Sequence, residues 1–584
     1  MTNTTGNILA YVILIIIGII IIAIIRYNRK KRTHLKLIQK INDQCGKNPL
    51  QSERNSERNK MRSNVPGYYN NIKNQEKESF AIDDITWNDL DMDNVFLRVN
   101  NTLSTTGEQY LYYLLRKPLT EHASLLERNR LIEFFRNNHK HRLNIQLLLA
   151  KLDKIETIDI TDYFINGYED SSHKGTYYKL LALGFLFSPF LLLLDIPLGL
   201  FATLGFLITN MTVHNKKRYE IESHLEAFNY IMSLIGCADK ISNLEIDEIS
   251  AYRQSLKNSL KNLKGIVSRS FLVLYRSEDP ILEYIKVVLL GELIAYESMF
   301  KLILKYKNNL LEIFNIVGLI DSLISVASYR ESIKYYSIPE LSNAAELNKI
   351  ESGSLETTNI PMLGFEDIYH PLIKDPVTNS LSMDKPVLIT GSNASGKSTF
   401  LKTIAINAIF AQTIYTCLAR KYISHYFMIF TSMALKDDLM SGESYYIVEI
   451  KSLKRIIDSM NPIIPCLCII DEVLRGTNTI ERVAASSEVL YFLSQSNCLT
   501  IAATHDLELA HILKNQYKNY HFQEYITDND IIFDYKIYPD KSNTRNAIKL
   551  LKIMGYKDSI VKSSEARAKA FIEQGKWEEI SNNH

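Results

Sequence analysis

The sequence has few cysteines and no metal-binding motif built on them. None of its six cysteines forms a Cys-x-x-Cys pair, and no cysteine–histidine cluster has the spacing of zinc ligands. Cys466 and Cys468 lie in an apolar run and are typical of small core residues. A structural zinc site is therefore not expected. A reducing, cytoplasmic compartment is the simplest setting for the soluble part of the chain.

The chain also lacks an excess of charge of either sign and any long internal repeat. Its 67 basic and 65 acidic residues leave a formal net charge of +2. This balance gives no indication of a globally basic nucleic-acid-binding protein, although a local basic patch remains compatible with it. The absence of a repeat of roughly 20–50 residues argues against a solenoid. The chain of 584 residues is long enough for roughly three or four domains.

Charge is missing from Ile8 to Ile25, an isoleucine-rich run that would form roughly 27 Å of helix. Six basic residues and no acidic one follow it between Arg26 and Lys36. The positive-inside rule then predicts a transmembrane anchor over residues 1–33, with the N-terminus outside and the rest in the cytoplasm. A cleaved signal peptide is the alternative. It fits less well, because the basic cluster follows the apolar run and no small-residue cleavage site is present.

A second apolar block covers residues 180–213 and is interrupted by Pro189 and by the Asp195-Ile-Pro197 sequence. The pattern predicts a membrane hairpin of two helices, about Tyr178–Leu194 and Ile196–Met211, that turns at Asp195. Basic residues follow it on the side that the first span assigns to the cytoplasm. Each arm is short for a full crossing, so a re-entrant hairpin or a buried hairpin of a soluble domain stays open.

The rest of the chain divides by composition and periodicity. Residues 34–80 are polar and predict a linker. Residues 81–345 show apolar side chains at three- and four-residue spacing and predict an all-α region, including a helix from Pro280 to about Lys307. Residues 346–584 alternate short apolar runs with helical stretches, which predicts an α/β domain. The expected strands are Val387–Thr390, Tyr426–Phe430, Cys466–Ile470, Leu499–Ala503 and Ile531–Tyr538.

A phosphate-binding loop follows the first of these strands and fits the pattern GxxxxGK[ST] without a mismatch. Its glycines let backbone N–H groups surround a phosphate, and the following helix adds the positive end of its dipole. Lys397 is expected on the β- and γ-phosphates of the nucleotide, and Ser398 on Mg²⁺. The predicted nucleotide-binding residues here are Gly391, Ser392, Asn393, Ala394, Ser395, Gly396, Lys397, Ser398 and Thr399.

Two acids and a histidine end later strands of the same domain. Asp471 closes an apolar strand, where a carboxylate can hold Mg²⁺, and Glu472 follows it, placed to activate the attacking water. His505 follows another strand and is expected to sense the γ-phosphate. The sequence therefore predicts an ATP hydrolase with Glu472 and His505 as catalytic residues. Its predicted metal ligands are Ser398 and Asp471.

These motifs together resemble the MutS family of DNA mismatch repair ATPases. Thr390–Thr399 is similar to the family's TGPNMxGKST, Asp471–Asn478 to DExGRGTS, and Ala503–Asp506 to its ATH strand end. The segment from Ser432 to Glu449 resembles the family loop that faces the partner subunit's nucleotide. The resemblance implies a homodimer in which Ser444 contacts the γ-phosphate in trans. Upstream, Thr86–Asp93 resembles the start of the family's helical core and levers, and residues 546–566 resemble its C-terminal dimerisation segment.

Departures from the family pattern concern both single residues and whole domains. Ser392 and Ala394 replace the usual Pro and Met, Leu474 replaces a Gly, and Tyr445 stands where Thr is usual. None of these changes removes a group expected to contact phosphate or metal. No segment resembles the mismatch-reading domain or the connector domain, and a membrane hairpin occupies the region where a DNA clamp would be inserted. Base-specific mismatch reading is therefore not expected.

Three functions remain after these comparisons of motifs. The first is a membrane-anchored, MutS-like ATPase that clamps DNA, in mismatch repair or another DNA transaction; its link to DNA comes from the family resemblance alone. The second is an ATP-driven dimeric clamp that acts on a membrane or protein client without DNA. The third is the ATPase half of an ABC transporter. It fits poorly, because Ser441–Ser444 does not match the LSGGQ motif and three membrane spans are few for a transport pathway.

Overall fold

The computed structural model describes residues 2–51, 61–76, 79–156, 159–166, 175–263, 280–342, 362–392, 395–433, 445–526, 531–541 and 547–577. Contacts divide the chain into two compact units. The first comprises Met1–Ser79, Phe96–Lys117 and Ala123–Lys334. The second comprises Phe80–Val95, Pro118–His122 and Tyr335–His584.

The α-helices of the described residues are numbered in chain order. Before residue 340 they are α1 (Thr2–Gln44), α2 (Gly67–Ile72), α3 (Asp84–Asp89), α4 (Met92–Val99), α5 (Thr105–Arg116), α6 (His122–Asn137), α7 (His139–Leu149), α8 (Asp162–Ile165), α9 (Gly175–Phe187), α10 (Ile196–Ser242), α11 (Ser250–Leu260), α12 (Pro280–Val288), α13 (Gly291–Lys305) and α14 (Lys307–Glu331). After it they are α15 (Lys397–Thr413), α16 (Tyr445–Asp458), α17 (Thr479–Gln495), α18 (Leu507–Ile512), α19 (Ala547–Ile553) and α20 (Asp558–Gln574). Short 3₁₀ turns cover Pro49–Gln51, Ser188–Leu193 and Asp247–Ile249.

The core of the first unit is built on α14. This helix is apolar and long enough to cross a membrane, but 78% of it is buried inside the protein. Asp321 of α14 is fully buried and accepts hydrogen bonds from the backbone N–H groups of Leu103 and Ser104. It also accepts one from Ser104 Oγ at 2.6 Å, and Ser104 in turn caps the start of α5. The apolar character of α14 therefore belongs to a packed helical core.

Two other stretches have the length and apolar composition of membrane spans, and only 11% of each is buried. They are Gly175–Leu193 and Ile196–Arg218. Asp195 lies between them, at the predicted turn. Its side chain accepts a hydrogen bond from Leu198 N–H at 3.0 Å. The second arm does not end near Met211, because α10 runs unbroken for 47 residues to Ser242. No glycine or proline interrupts its later half before Gly236, and that half buries Phe228 and Ile231.

The expected anchor and linker differ from the structure in their lengths. Helix α1 contains the whole apolar run of residues 8–25 but continues to Gln44; the side chains of most of that run lie outside the described residues. The predicted linker over residues 34–80 contains α2, whose Tyr68 and Tyr69 are buried. Tyr68 packs against Phe314 with ring centroids 4.9 Å apart. Tyrosine rings supply apolar area that a count of aliphatic residues misses.

The stretch expected to form one helix from Pro280 to about Lys307 forms two helices. Helix α12 ends at Val288, Leu290 adopts a left-handed conformation with φ of 51°, and α13 begins at Gly291. Helix α14 then starts at Lys307, directly after the end of α13. At this break Asn210 of α10 donates a hydrogen bond to the Val288 carbonyl at 2.8 Å, which satisfies an acceptor at the end of α12.

The described residues of the second unit form two sheets. The strands are β1 (Glu340–Ser342), β2 (Leu363–Ile368), β3 (Asn379–Met383), β4 (Val387–Thr390), β5 (Lys421–His425), β6 (Met428–Ser432), β7 (Cys466–Asp471), β8 (Cys498–Thr504), β9 (Lys518–Ile526) and β10 (Ile531–Pro539). The order of the larger sheet is β10-β9-β4-β8-β7-β6, with all pairs parallel except β10 with β9. The smaller sheet has the order β1-β5-β2-β3. The helical N-terminal region and the C-terminal α/β domain confirm the expected fold class at this level.

Candidate active site

Three neighbouring strands of the larger sheet bring the sequence motifs to one edge. In the parallel pairing of β4 with β8, Thr390 lies opposite Thr504, and in that of β7 with β8, Asp471 lies opposite Ala503. The segments that follow these strands therefore leave the same carboxyl edge of the sheet, where ligands of open α/β sheets bind. They contain the phosphate-binding loop, the Asp471-Glu472 pair and His505.

The phosphate-binding loop depends on glycine at both ends. Gly391 has a φ of 144°, and a Cβ atom there would lie 2.7 Å from the Phe522 carbonyl oxygen. Gly396 has a φ of 100° and is the N-cap of α15. Ser395 Oγ donates to the Ser392 carbonyl at 2.7 Å, and Ser392 Oγ donates to Glu524 at 2.9 Å. Side chains as well as glycine geometry thus hold the loop.

Lys397 lies in the first turn of α15 and its ammonium group points back into the loop. It donates to the carbonyl oxygens of Gly391 and Ser392, each at 2.7 Å. Burial lowers the pKa of Lys397 to about 8, although the nearby carboxylates of Asp471 and Glu472 act in the opposite direction. The side chain is therefore still mostly protonated at neutral pH, as an interaction with phosphate oxygens requires.

Glu472 and His505 are brought into direct contact. Glu472 Oε1 lies 2.9 Å from His505 Nε2, and its other carboxylate oxygen is paired with Arg475. The backbone at Glu472 is left-handed, with a φ of 64°, while its N–H still donates to the Ala503 carbonyl at 2.9 Å. Glu472 thus adopts a backbone conformation that is rare for L-residues, and this conformation directs its carboxylate to His505. Such backbone strain is concentrated at functional sites.

The charge on Glu472 is set by competing effects. Burial alone would raise the pKa of this carboxyl group, but the hydrogen bond from His505 and the charges of His505 and Arg475 outweigh it and lower the pKa below its usual value. Glu472 is therefore ionised at neutral pH. An ionised carboxylate beside a histidine can accept a proton from water, which is the chemistry of a general base.

Arg475 was not predicted as a site residue, although it lies in the Asp471–Asn478 motif. This motif also contains Leu474, which has a left-handed φ of 58° at the position where the family has glycine. Gly476 is closely packed, since a Cβ there would lie 2.7 Å from Tyr446 Cβ. Arg482 of α17 forms two hydrogen bonds with Asp506, next to His505, at 2.7 and 2.9 Å. The RGT sequence of this motif was a usable signal for Arg475.

A cavity of about 400 Å³ lies beside the phosphate-binding loop and was not expected from the sequence. Gly396, Ser398 and Thr399 form its wall on the side of the loop. The remaining wall includes Tyr369, His370, Val377, Asn379, Phe522 and Tyr535. Burial lowers the pKa of His370 to about 4, so its ring is neutral at pH 7. His370 precedes Pro371 in the sequence, whereas Tyr535 comes from an edge strand with no motif.

Ser398 and Asp471 have the donor chemistry that Mg²⁺ prefers. A hydroxyl and a carboxylate both supply hard oxygen ligands, and magnesium is commonly held by one or two such groups together with water and phosphate oxygens. Ser398 is exposed in the first turn of α15, and Asp471 is the last residue of β7. The two residues therefore fit the metal. Among the expected site residues, Asn393, Ala394 and Ser444 lie outside the residues that the structure describes.

A phosphate-binding loop at the start of α15, with an acid pair at the end of β7, defines the C-terminal domain as an ABC-class P-loop ATPase. Residues 387–572 match the family model described as MutS domain V. The matched residues are similar to the ATPase domain of the MutS family. This domain generally uses ATP and Mg²⁺, and ATPases of the family typically form dimers.

Proposed function

We propose that this chain is a membrane-anchored, MutS-like ATPase that works as a homodimeric clamp on DNA. The observation that carries the proposal is the contact between Glu472 and His505 at the sheet edge that also bears the phosphate-binding loop. Residues 1–33 act as the anchor and residues 34–80 connect it to the body. Residues 81–345 form the helical core and levers, and residues 346–584 form the ATPase domain with its dimerisation segment.

Each residue of the site has a defined task in this proposal. The loop from Gly391 to Thr399 binds the nucleotide phosphates, with Lys397 on the β- and γ-phosphates. Ser398 and Asp471 hold Mg²⁺, which neutralises phosphate charge when it is bound. Glu472 takes a proton from the attacking water, and His505 orients the Glu472 carboxylate and senses the γ-phosphate. Ser444 of one protomer completes the site of the other.

The cavity beside the loop is suited to the base of the nucleotide. Its volume of about 400 Å³ lies within the range of small-ligand sites, and its lining combines aromatic rings with a few polar groups. The neutral His370 ring and the Tyr535 ring are flat partners for a purine. An aromatic pair of this kind contributes roughly 0.5–1.5 kcal/mol beyond its buried area.

The catalytic assignment is tested by substituting Glu472 with glutamine in the full chain. Glu472→Gln removes the proton acceptor but keeps the shape of the side chain, so ATP binding is retained while turnover falls by about 10²–10⁴-fold. Lys397→Ala abolishes turnover through loss of binding. Glu488→Gln, an exposed glutamate on α17, is the matched control and turns over normally. Normal hydrolysis by Glu472→Gln contradicts the assignment.

The DNA client is tested by measuring ATPase activity of the detergent-solubilised chain with duplex, mismatched and branched DNA. The salt concentration is varied, because phosphate contacts make DNA affinity salt-dependent. Stimulation by any of these DNAs, weakening as salt increases, supports the clamp on DNA. If none of them binds or stimulates at low salt, the DNA client is refuted while the ATPase assignment stands.

A membrane or protein client is the second candidate, and one observation favours it. Helix α10 carries the exposed apolar arm at its start and packs into the helical core of the first unit at its end. Movement of the core would therefore move the apolar arm. Replacing residues 180–213 by a soluble turn abolishes function in this candidate. ATPase activity that ignores DNA would support it further.

A further inference from the structure

The hairpin, defined as residues 175–213, is two closely packed antiparallel arms. A Cβ atom on Gly199 of α10 would lie 2.4 Å from Leu192 N in the first arm, and one on Gly184 would lie 2.4 Å from the ring of Phe206. Small residues at such positions let two helical backbones approach, as in helix pairs within membranes. The hairpin is therefore a single ordered element.

The outer surface of the hairpin is apolar on both arms and most exposed at its tip. Leu193 and Leu194 are 84% and 83% exposed, and Phe201 is 78% exposed. A protein partner with a groove covers one stripe of a helix, whereas lipid surrounds a helix pair on all open sides. The large side chains exposed along both arms include Leu180, Leu183, Leu186, Phe187, Phe190, Ile196, Leu198, Leu200, Leu204 and Ile208.

The three hydroxyl side chains between Leu180 and Thr209 are hydrogen-bonded within the hairpin itself. Ser188 Oγ donates to the Phe185 carbonyl, and Thr203 and Thr209 donate to carbonyls one turn earlier, at 2.8–2.9 Å. The Asp195 carboxylate caps Leu198 N–H at the turn. A hydrocarbon environment requires this internal satisfaction, because it offers polar groups no other partner. A surface exposed to water or covered by protein does not require these internal hydrogen bonds.

Anchoring side chains occur only at the base of the hairpin. Lys179 starts the first arm, and Lys216, Lys217 and Arg218 follow the second, with Tyr177 46% exposed beside them. Cations and tyrosine are the residues that mark a membrane–water interface, and anionic lipids of the cytoplasmic leaflet attract clustered basic side chains. The tip has no such residue between Phe190 and Phe201. The hairpin therefore has an interface at one end only.

Both stretches are long enough to cross a membrane, but their exposed part, up to the point where α10 packs against α12 and α13, is shorter than a bilayer. The second arm from Ile196 to Ile208 is about 20 Å long at 1.5 Å per residue. Beyond it, Asn210 and His214 are buried against α12 and α13, where His214 Nε2 lies 3.0 Å from Glu292. The first arm from Leu180 to Leu193 reaches about 24 Å with its 3₁₀ part included. A bilayer's hydrocarbon core is about 30 Å thick, so the tip does not reach the opposite surface.

We propose that the hairpin inserts into the membrane from the cytoplasmic side and ends inside the hydrocarbon, without crossing. Its basic collar, Lys179 and Lys216 to Arg218, lies on anionic lipid headgroups of that leaflet. This inference rests on the membrane location proposed above, and it differs from two full crossings in placing both arms and the tip on the same side.

Cysteine labelling in sealed membrane vesicles tests the insertion. Cys45 is half-buried and the other five cysteines are buried, so Cys45→Ser gives a background of low reactivity. Leu194→Cys reports on the tip, and Asn215→Cys, at an exposed position, reports on the base. Each full-length variant is treated with a membrane-impermeant maleimide in inverted and in right-side-out vesicles. Retained ATPase activity shows that each variant is folded, and Phe201→Cys replaces Leu194→Cys if the latter is inactive.

The expected result is that Asn215→Cys is labelled only in inverted vesicles, while Leu194→Cys is labelled in neither until detergent is added. Labelling of Leu194→Cys in right-side-out vesicles means a full crossing and overturns the inference, but leaves the membrane location intact. Labelling of Leu194→Cys in inverted vesicles as fast as Asn215→Cys places the hairpin in water and overturns the inference as well. Recovery of the chain in the soluble fraction overturns the membrane location itself.

Discussion

At the scale of single residues, Lys397 combines a buried position with a charge that phosphate binding needs. Burial lowers its pKa from 10.5 to about 8. The folded state therefore holds this proton less tightly than the unfolded chain, so the penalty of the buried charge declines as pH rises from about 8 to 10.5. Bound phosphate acts in the opposite direction, because it favours the charged ammonium.

ATP affinity is accordingly expected to decline as pH rises above about 8. Once Lys397 loses its proton, affinity falls by at most tenfold per pH unit. Binding of a fluorescent ATP analogue, measured between pH 7 and 10, checks this. Lys397→Arg is the control, because a guanidinium stays protonated throughout this range and its weaker binding is independent of pH. A flat profile in the parent protein would contradict the role of Lys397.

Leu474 shows how two opposing effects are balanced in one residue. Its left-handed backbone costs roughly 1–2 kcal/mol compared with glycine. The side chain is 5% exposed and packs with Val473, Leu453 and Leu490, and burial of a leucine contributes about 1.5–3 kcal/mol. Packing therefore exceeds strain, which explains how leucine stands where the family has glycine.

At the scale of elements, the two glycines of α10 in the hairpin have different surroundings. A Cβ on Gly199 would lie 2.4 Å from backbone of the opposite arm, whereas a Cβ on Gly205 would meet nothing within 4 Å. The first glycine is thus required for packing of the arms. The second only weakens the helix, by roughly 1 kcal/mol relative to alanine.

Gly199→Ala should therefore separate the arms and lower the thermal midpoint in detergent. Gly205→Ala should leave the midpoint unchanged or raise it. The two variants make the same chemical change six residues apart on one helix, so their difference isolates the contact between the arms. Equal midpoints for the two variants would mean that the arms are not closely packed.

The junction of α14 with α5 predicts a second effect of pH. Burial raises the pKa of Asp321 to about 6, although hydrogen bonds from Ser104 and Leu103 oppose this. The folded state then binds the proton more tightly, so the stabilisation is fully present below pH 4 and is lost as pH rises through 6. The loss is on the order of 3 kcal/mol. Urea unfolding of the parent and of Asp321→Asn at pH 4 and 7 measures it; the variant should lack this component.

Strands with a strong apolar pattern could be predicted from the sequence. Strands that are defined by pairing with residues distant in the sequence could not. The buried strands β4, β7 and β8 are continuous apolar runs and were predicted within one residue at each end. Strands β2, β3, β5 and β9 carry exposed polar residues and were missed, since only their pairing defines them. In the site, the motif residues were found in the sequence. Tyr535 was not, because a fold that pairs β10 with β9 brings it to the loop.

At the scale of the whole molecule, the proposed dimer makes each active site depend on two chains. Lys397 belongs to the chain that binds ATP, and Ser444 is proposed to act on the partner's ATP. A chain with Lys397→Ala and a chain with Ser444→Ala are each expected to be inactive. A mixed dimer restores one complete site, formed by the phosphate-binding loop of the second chain and Ser444 of the first.

Mixing the two purified variants should therefore recover ATPase activity, and the recovery should depend on their ratio and concentration. A mixture of Lys397→Ala with Glu472→Gln is the control, because both changes lie on the nucleotide-binding side of the site and no complete site can form. Activity of Ser444→Ala alone equal to that of the parent would remove Ser444 from the site. Absence of recovery on mixing would rule out a composite site.

Helix α10 has a mechanical consequence, because 47 unbroken residues form a rod of about 70 Å. One end of the rod lies in the hairpin, and the other packs within the helical core. Coupling of this kind is reciprocal: if ATP binding changes how deeply the hairpin sits, then the bilayer must change ATP affinity by the same factor. In that case lipid thickness and lateral tension would act as effectors of the ATPase, and the proposed membrane would regulate the protein as well as support it.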